Sequence, residues 1–258
     1  MAAIQGVGSY ASSSNIYGQI ASGKRINSAA DDAAGLAIAG KLEKEDRGLT
    51  QGAENAQEGI SAINIADGAL DQINDSLSRI YELSLKASNT FMYGDEERGY
   101  MQEEVAGLLK GIEDIASRTN YNEKNLLDGS AGDMEIATKT DGTGEMLRMP
   151  DSTLASLGLD GYDLTGDFDI SKVTDAMKSI VGSRSDLGAQ SVSLAYTKNY
   201  NQLASENTLS SRSKLEDLDI PQAISDKKKK ELLMNYSLMM QKKRQEDEER
   251  RANAMFQF

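Results

Sequence analysis

Apolar positions repeat along most of the chain at the spacing of packed helices. From Leu70 to Ala87, from Val105 to Ile115 and from Val173 to Leu194, apolar and small residues recur in steps of three and four. Such steps place side chains on one face of a helix that packs along another helix. The pattern predicts three long rod helices with these buried positions: Leu70, Ile73, Leu77, Ile80, Val105, Leu108, Ile112, Val173, Met177 and Ile180.

The ends of the helices are marked by capping and turn residues. Ser28, followed three residues later by Asp31, predicts an N-cap with a capping box. The first rod helix is expected to stop at residues 89–94, and Asp95 is expected to cap the second. These two helices are therefore predicted to run antiparallel.

A glycine-rich stretch, residues 129–170, interrupts the helical pattern. Short segments such as MEIAT and EMLRM lie between the glycines, with Pro150 after them. Glycine-bounded short runs are typical of hairpins and turns. The sequence predicts a small β insert here.

The two chain ends have too few apolar residues to fold alone. Residues 1–23 are rich in Ser and Gly and are expected to be disordered, whereas the stretch from about residue 223 is amphipathic before it becomes fully charged. Such ends need a partner, first the other terminus and then neighbouring copies of the chain. The predicted assembly residues are Ile16, Ile20, Leu232, Leu233, Tyr236, Met239 and Met240.

The predicted fold is mainly α: a long antiparallel helical rod with a small β-hairpin insert and paired terminal helices. Its expected segments have different roles. Residues 1–30 serve assembly and export, 31–128 and 171–220 form the two halves of the rod, 129–170 form the insert, and 221–258 form a charged assembly helix.

Composition argues against an enzyme. The 258 residues include no His, Cys or Trp, which excludes a Ser-His-Asp triad, a cysteine nucleophile and a histidine-held zinc. We expect no cofactor and no metal. Without an apolar run of about 18 residues or a cleavable apolar leader, we also expect neither membrane insertion nor a Sec signal peptide.

Charge is distributed unevenly. The net charge is −13, yet residues 1–30 carry only Lys24 and Arg25, and residues 226–258 carry nine bases against six acids. An acidic central body argues against nucleic-acid binding. The bases at 242–244 each have an acid four residues on, which predicts a self-paired, solvated helix rather than a nucleic-acid patch.

Four aspartates cluster in the insert, at positions 160, 163, 167 and 169. Their spacing does not match an EF-hand calcium loop, which also needs a terminal Glu. We interpret them as turn acids.

Residues 25–39, RINSAADDAAGLAIA, resemble the N-terminal signature of bacterial flagellins. The similarity continues through RTNYNEKNLLDG at 118–129, SRSDLGAQ at 183–190 and ASENTLSSRSKLEDLDI at 204–220. It implies a secreted filament subunit that polymerises with itself and is exported unfolded by the flagellar type III machinery with a chaperone. The charged C-terminus departs from the family's usual Ala/Gln/Leu-rich helix.

The resemblance also implies recognition by Toll-like receptor 5. Arg79, Leu83 and Glu104 fall where the family's recognised Arg, Leu and Glu occur. The helical spacing places all three beside the buried stripe, so we expect them to be reachable.

Two alternatives to a filament subunit stay open. One is a hook–filament junction protein, which would polymerise only as a short collar. The other is a free helical module whose basic C-terminal helix binds an acidic partner or nucleic acid, which a salt-dependent DNA titration would detect.

Overall fold

A computed structural model describes residues 16–255, with side chains up to Arg251. The described helices are α1 (residues 16–22), α2 (Ala29–Ala87), α3 (Asp95–Arg118), α4 (Ile170–Glu216) and α5 (Ile220–Met255). The strands are β1 (Asn120–Tyr121), β2 (Lys124–Asn125), β3 (Asp133–Ala137) and β4 (Gly144–Arg148). The predicted class, a mainly helical rod with a small β insert, is confirmed.

The chain divides into two compact units. The rod unit is Arg47–Ser205, and the terminal unit combines the described residues up to Asp46 with those from Glu206 onward. Helices α2 and α4 each contribute to both units. This division is coarser than the five predicted segments, whose boundaries stay a prediction.

The core of the rod unit is a stripe of aliphatic side chains from α2, α3 and α4. Eight of the ten predicted core positions are buried: Leu70, Ile73, Leu77, Ile80, Val105, Ile112, Val173 and Ile180. They form one continuous cluster.

The other two core positions were predicted wrongly. Leu108 and Met177 are only partly buried, and Leu109 and Ala176 take the buried positions instead. Where two apolar residues are adjacent, a helix of 3.6 residues per turn can bury either one. Spacing alone does not decide between them.

The insert contains the predicted hairpin. Strands β3 and β4 pair antiparallel from Asp133 opposite Arg148 to Ala137 opposite Gly144. The smaller pair β1–β2 turns at Asn122 and Glu123, which both have positive φ. Glu is unusual in this left-handed conformation, so the residue types of the turn did not predict the β1–β2 pair.

Glycines on α2 allow the β3–β4 hairpin to lie directly against the helix. A Cβ at Gly52 would stand 2.2 Å from the Thr138 carbonyl oxygen, and one at Gly59 would stand 2.4 Å from Ile136 Cδ1. Two asparagine side chains also form hydrogen bonds with the end of the hairpin. Asn55 donates to the Ala137 carbonyl oxygen and the buried Asn201 donates to the Thr138 carbonyl oxygen, each at 2.7 Å.

The end of the insert, residues 159–168, packs over α2 and α3. Tyr162 is buried and its hydroxyl donates to Ser84 Oγ at 2.9 Å, while its ring meets Phe168 edge to face at 6.3 Å. Burial raises the pKa of Tyr162. The Arg98 guanidinium lies 5.5 Å from the Phe168 ring centre and donates to the Leu164 carbonyl oxygen.

Ion pairs also connect helices α2 and α4. The Arg184 guanidinium contacts Asp67 at 2.7 Å and Asp71 at 2.6 Å. The hydrogen bond to Asp67 is the main reason that the pKa of Arg184 is raised.

Candidate assembly surface

The N-terminal and C-terminal segments meet in the terminal unit, where each segment leaves its long helix. The Arg25 amide donates to the Glu216 carbonyl oxygen at 2.6 Å, and the Leu218 amide donates to the Gly23 carbonyl oxygen at 2.9 Å. Gly23 has φ +68°, a conformation that favours glycine. We call residues 23–26 together with 215–218 the terminal junction.

A buried carboxylate strengthens the terminal junction. Glu216 is only 7% exposed and its carboxylate lies 3.1 Å from Lys24 Nζ and 3.8 Å from Arg212 Nε. Arg25 adds a hydrogen bond from its guanidinium to the Leu215 carbonyl oxygen at 2.8 Å. A carboxylate at this depth needs cationic partners, so the two basic residues of the N-terminal segment have a structural role here.

The start of α2 contains half of the predicted capping box. Ser28 does not cap the helix through its side chain; its hydroxyl donates to Asp31, which also accepts from the Ser28 amide at 3.0 Å. The backbone kinks at Asp32, whose carboxylate accepts from the Gly35 amide at 2.8 Å. The prediction is therefore confirmed in part: Ser28 precedes the first helical turn and Asp31 is its capping-box acid, while Asp32 caps the long part of the helix beyond the kink.

At the second rod helix the predicted cap is displaced by one residue. Asp95 is the first residue of α3, and Gly94 is the N-cap. The Glu97 carboxylate accepts from the Gly94 amide at 2.9 Å.

Helix α1 contacts α5 within the terminal unit. The Tyr17 hydroxyl donates to the Glu231 carboxylate at 2.9 Å, and Lys227 Nζ lies 4.1 Å from the Tyr17 ring centre. Residues 16–22, which were expected to be disordered alone, are helical and contact α5, the partner that the sequence predicted for them. Residues 1–15 lie outside the described part of the chain.

Helix α5 presents the predicted assembly residues to solvent. Leu232 is 70% exposed, Tyr236 64% and Met239 71%, and Leu233 and Met240 are exposed as well. Ile16 and Ile20 on α1 are half-buried. Such a run of exposed apolar side chains is typical of a surface that another element covers. We call these five α5 residues the α5 stripe.

The charged end of α5 is not self-paired. In the part of the chain that the structure describes, no ion pair joins Lys242 to Glu246, Lys243 to Asp247 or any other two residues of 242–251. The expected pairing four residues apart was therefore wrong. Each side chain extends into water, where such a pair contributes little.

Two of the three residues expected to meet the receptor form an exposed ion pair between α2 and α3. Arg79 Nε donates to the Glu104 carboxylate at 2.6 Å and its guanidinium also contacts Glu82 at 3.0 Å. These bonds raise the pKa of Arg79 and lower the pKa of Glu104. Leu83 differs. It is only 3% exposed within the rod core, so the expectation that it is reachable was wrong.

Comparison with known proteins places the chain in a family. Residues 7–132 match the family described as bacterial flagellin N-terminal helical region. A flagellin of Halalkalibacterium halodurans is 33% identical over 210 residues, covering 78% of this chain and 76% of that protein. The chain belongs to the bacterial flagellins.

Two further relatives agree with this placement. The flagellar filament 33 kDa core protein of Treponema phagedenis is 33% identical over 230 residues, which cover 81% of this flagellin and 80% of that protein. The crystal structure of Bacillus cereus flagellin is 26% identical and superposes with a TM-score of 0.51 over 57% of this chain and 88% of that chain.

The flagellin-like stretch 25–39 has a clear structural role in this chain. Ile26 is 1% exposed, and Asp32 caps α2. A Cβ at Gly35 would stand 2.5 Å from Asp32 Oδ2 and 2.7 Å from Ile26 Cδ1. The stretch therefore holds Ile26 against the first turns of α2.

Two of the four clustered aspartates accept local hydrogen bonds, Asp163 within a turn and Asp169 at the start of α4. Asp163 and Asp169 each accept hydrogen bonds from the residue two positions on, and so do Asp128, Asp141 and Asp151. Those bonds lower the pKa of Asp128, Asp141, Asp163 and Asp169. Among the described residues, no group of three or more acids is arranged to hold a metal ion.

Within residues 16–255, no helix is both long and apolar enough to cross a membrane.

The sequence reasoning missed the terminal junction. Its residues pair across about 190 positions, as Arg25 with Leu215 does, and a single sequence carries no signal for such a pairing. The only local sign was Gly23, a residue that often marks a turn.

Proposed function

We propose that the chain is a structural, non-enzymatic subunit of a bacterial flagellar filament and that it polymerises through its terminal segments. On this proposal it acts outside the cell, after export as an unfolded chain by the flagellar type III machinery with a chaperone. Membership of the flagellin family supports the filament role. The observation that carries the proposal is the exposed α5 stripe on a helix that is already held to α1.

The α5 stripe is costly to leave in water. Burying one Leu or Met side chain contributes about 1.5–3 kcal/mol, so covering several of them offsets much of the entropy lost in association. A contact that joins different surfaces of successive copies repeats without closing, which is the geometry of a filament. We therefore assign the stripe to subunit contacts.

A single charged substitution within the stripe tests this assignment. Leu233→Asp places a carboxylate at a position that is 59% exposed in the single chain, so its fold is expected to persist. We expect polymer recovered by ultracentrifugation to fall at least about tenfold, since burying an unpaired charge costs several kcal/mol. Met146→Asp, at a position 50% exposed on β4, is the matched control and is expected to polymerise normally. Equal polymer from Leu233→Asp and the intact chain contradicts the assignment.

Two rivals make different predictions. A hook–filament junction protein would give short collars instead of filaments many times longer than wide. A free binding module with a basic C-terminal helix would bind DNA with a steep dependence on salt. Neither reading uses a cofactor, and we assign none.

We further propose recognition by Toll-like receptor 5 at the exposed Arg79–Glu104 pair. The pair is supported by its exposure, with side chains 42% and 45% accessible. Leu83 lies beneath this surface and stabilises it from the core. The direct contacts are therefore assigned to Arg79 and Glu104 alone.

A further inference from the structure

The charged end of α5 continues the face that the α5 stripe begins. Leu232, Tyr236 and Met239 are followed at the same alternating steps of four and three by Lys243, Glu246 and Arg250. At about 100° per residue these six positions share one side of the helix. Lys227 and Glu231, which contact Tyr17 of α1, project from a different side. The face is therefore open along its whole length.

The charged residues on this face have no partner in their own chain. Lys243, Glu246 and Arg250 are exposed, and no ion pair or hydrogen bond joins them to another residue among those the structure describes. Their order is base, acid, base, with three bases directly before position 245 and four acids directly after it. A sequence that changes sign about a central point is complementary to itself when reversed.

We propose that two copies of the chain pair antiparallel through this face of α5. The two-fold axis passes between Arg244 and Gln245. In this register Lys243 of each copy faces Glu246 of the other, and the aliphatic part of Arg250 lies against Met239 of the second copy.

Charge excludes the other simple ways of pairing two α5 helices. A parallel pair in register places Lys243 against Lys243 and Glu246 against Glu246. An antiparallel pair centred on Tyr236 matches the apolar stretches but places Lys229 against Lys243. Like charges opposite one another are destabilising. The register centred between Arg244 and Gln245 avoids these clashes and sets Lys243 and Lys242 against Glu246 and Asp247.

Such a pair is closed and does not propagate. A two-fold interface uses the same surface on both copies, whereas a filament needs contacts that repeat from copy to copy. The pair covers Met239 and lies over the end of the α5 stripe. It therefore holds unassembled chains in a soluble form that is distinct from the filament, and it does not depend on the proposed function.

The test is the mass of the unpolymerised intact chain, measured by sedimentation velocity after pelleting any polymer. We expect dimers at an ionic strength of about 0.01 M and monomers at about 1 M, because the Debye length falls from roughly 30 Å to roughly 3 Å. Lys243→Glu and Glu246→Lys are each expected to weaken the dimer at least about tenfold, since each turns two attractive contacts into repulsive ones.

Charge reversal supplies the decisive controls. Mixing the two single variants, or combining both substitutions in one chain, restores opposite charges and is expected to restore the dimer. Lys228→Glu changes the net charge by the same amount as Lys243→Glu but lies outside the overlap, so its dimer is expected to persist. Monomers of the intact chain at low salt overturn the proposal. So does a dimer that the single variants leave unchanged, or one that mixing does not restore.

Discussion

Replacing Gly52 with Ala tests how the β3–β4 hairpin is held on the rod. The added methyl group would stand 2.2 Å from the Thr138 carbonyl oxygen and 2.8 Å from Asn201 Nδ2, so both must move. Asn201 is 4% exposed and donates to that same carbonyl oxygen at 2.7 Å. The substitution therefore breaks a buried hydrogen bond as well as forcing the hairpin outward.

The expected loss can be estimated from these contacts. Leaving a buried amide unsatisfied costs about 1–3 kcal/mol and overpacking costs a further ~1–3 kcal/mol, while Ala in place of Gly in a helix returns about 1 kcal/mol. A net destabilisation of about 1–5 kcal/mol corresponds to a fall in melting temperature of roughly 2–20 °C. Circular dichroism during heating measures it.

Gly68 provides the matched control on the same helix. It is exposed, and a Cβ there would meet nothing within 4 Å. Gly68→Ala is expected to stabilise the chain by about 0.5–1 kcal/mol. If Gly52→Ala melts at or above the temperature of Gly68→Ala, the close packing of the hairpin on α2 is refuted.

Further changes have equally direct outcomes. Asp32→Ala removes the cap of α2 and is expected to cost about 1 kcal/mol in urea denaturation, whereas Asp32→Asn retains most of that stability. Hydrogen bonds from Thr165 lower the pKa of Asp163, so its carboxylate stabilises the fold above the unfolded pKa of about 3.9. This stabilisation is lost as the pH falls through the lower folded pKa. Asp163→Asn is therefore expected to lose less stability than the parent chain when titrated from pH 5 to pH 2. Tyr162→Phe leaves Ser84 with its bond to Ile80 and is expected to cost about 1 kcal/mol by calorimetry. Arg79→Ala is expected to weaken receptor binding at least about tenfold in a surface-binding assay with little change in melting, and unchanged binding removes the receptor proposal.

Periodicity predicted the helical rod well because its helices are long. Over the many turns of α2, steps of three and four leave little choice of buried face, and Leu70, Ile73, Leu77 and Ile80 are all buried. In the shorter α3, two adjacent leucines fit the same rhythm, and the structure buries Leu109 more deeply than Leu108. Packing against α2 determines which of the two leucines is buried, and local spacing does not.

At the candidate receptor site, spacing also failed to predict whether Leu83 is buried. It lies three residues after Ile80 and four before Ala87, both fully buried, and this spacing fits the core as well as its border. The exposure of Arg79 and Glu104 was easier to predict, since charged side chains rarely enter a core unpaired.

The contacts that position the ends and the insert could not be predicted from one sequence. Gly52 and Gly59 resemble ordinary helix interruptions until the hairpin is seen to lie on them. The bond between Arg25 and Leu215 joins residues far apart in the chain, and no local propensity encodes such a pairing. Family resemblance supplied an expectation that local chemistry could not, namely the route of export.

The most direct test of the central claim is negative-stain microscopy of the intact chain beside a chain lacking residues 223–258. Polymerisation through the terminal segments predicts long filaments from the intact chain and none from the shortened one. The melting of the rod unit, which is Arg47–Ser205, should be preserved in both. Normal filaments from the shortened chain, or none from the intact chain under any polymerising condition, would contradict the claim.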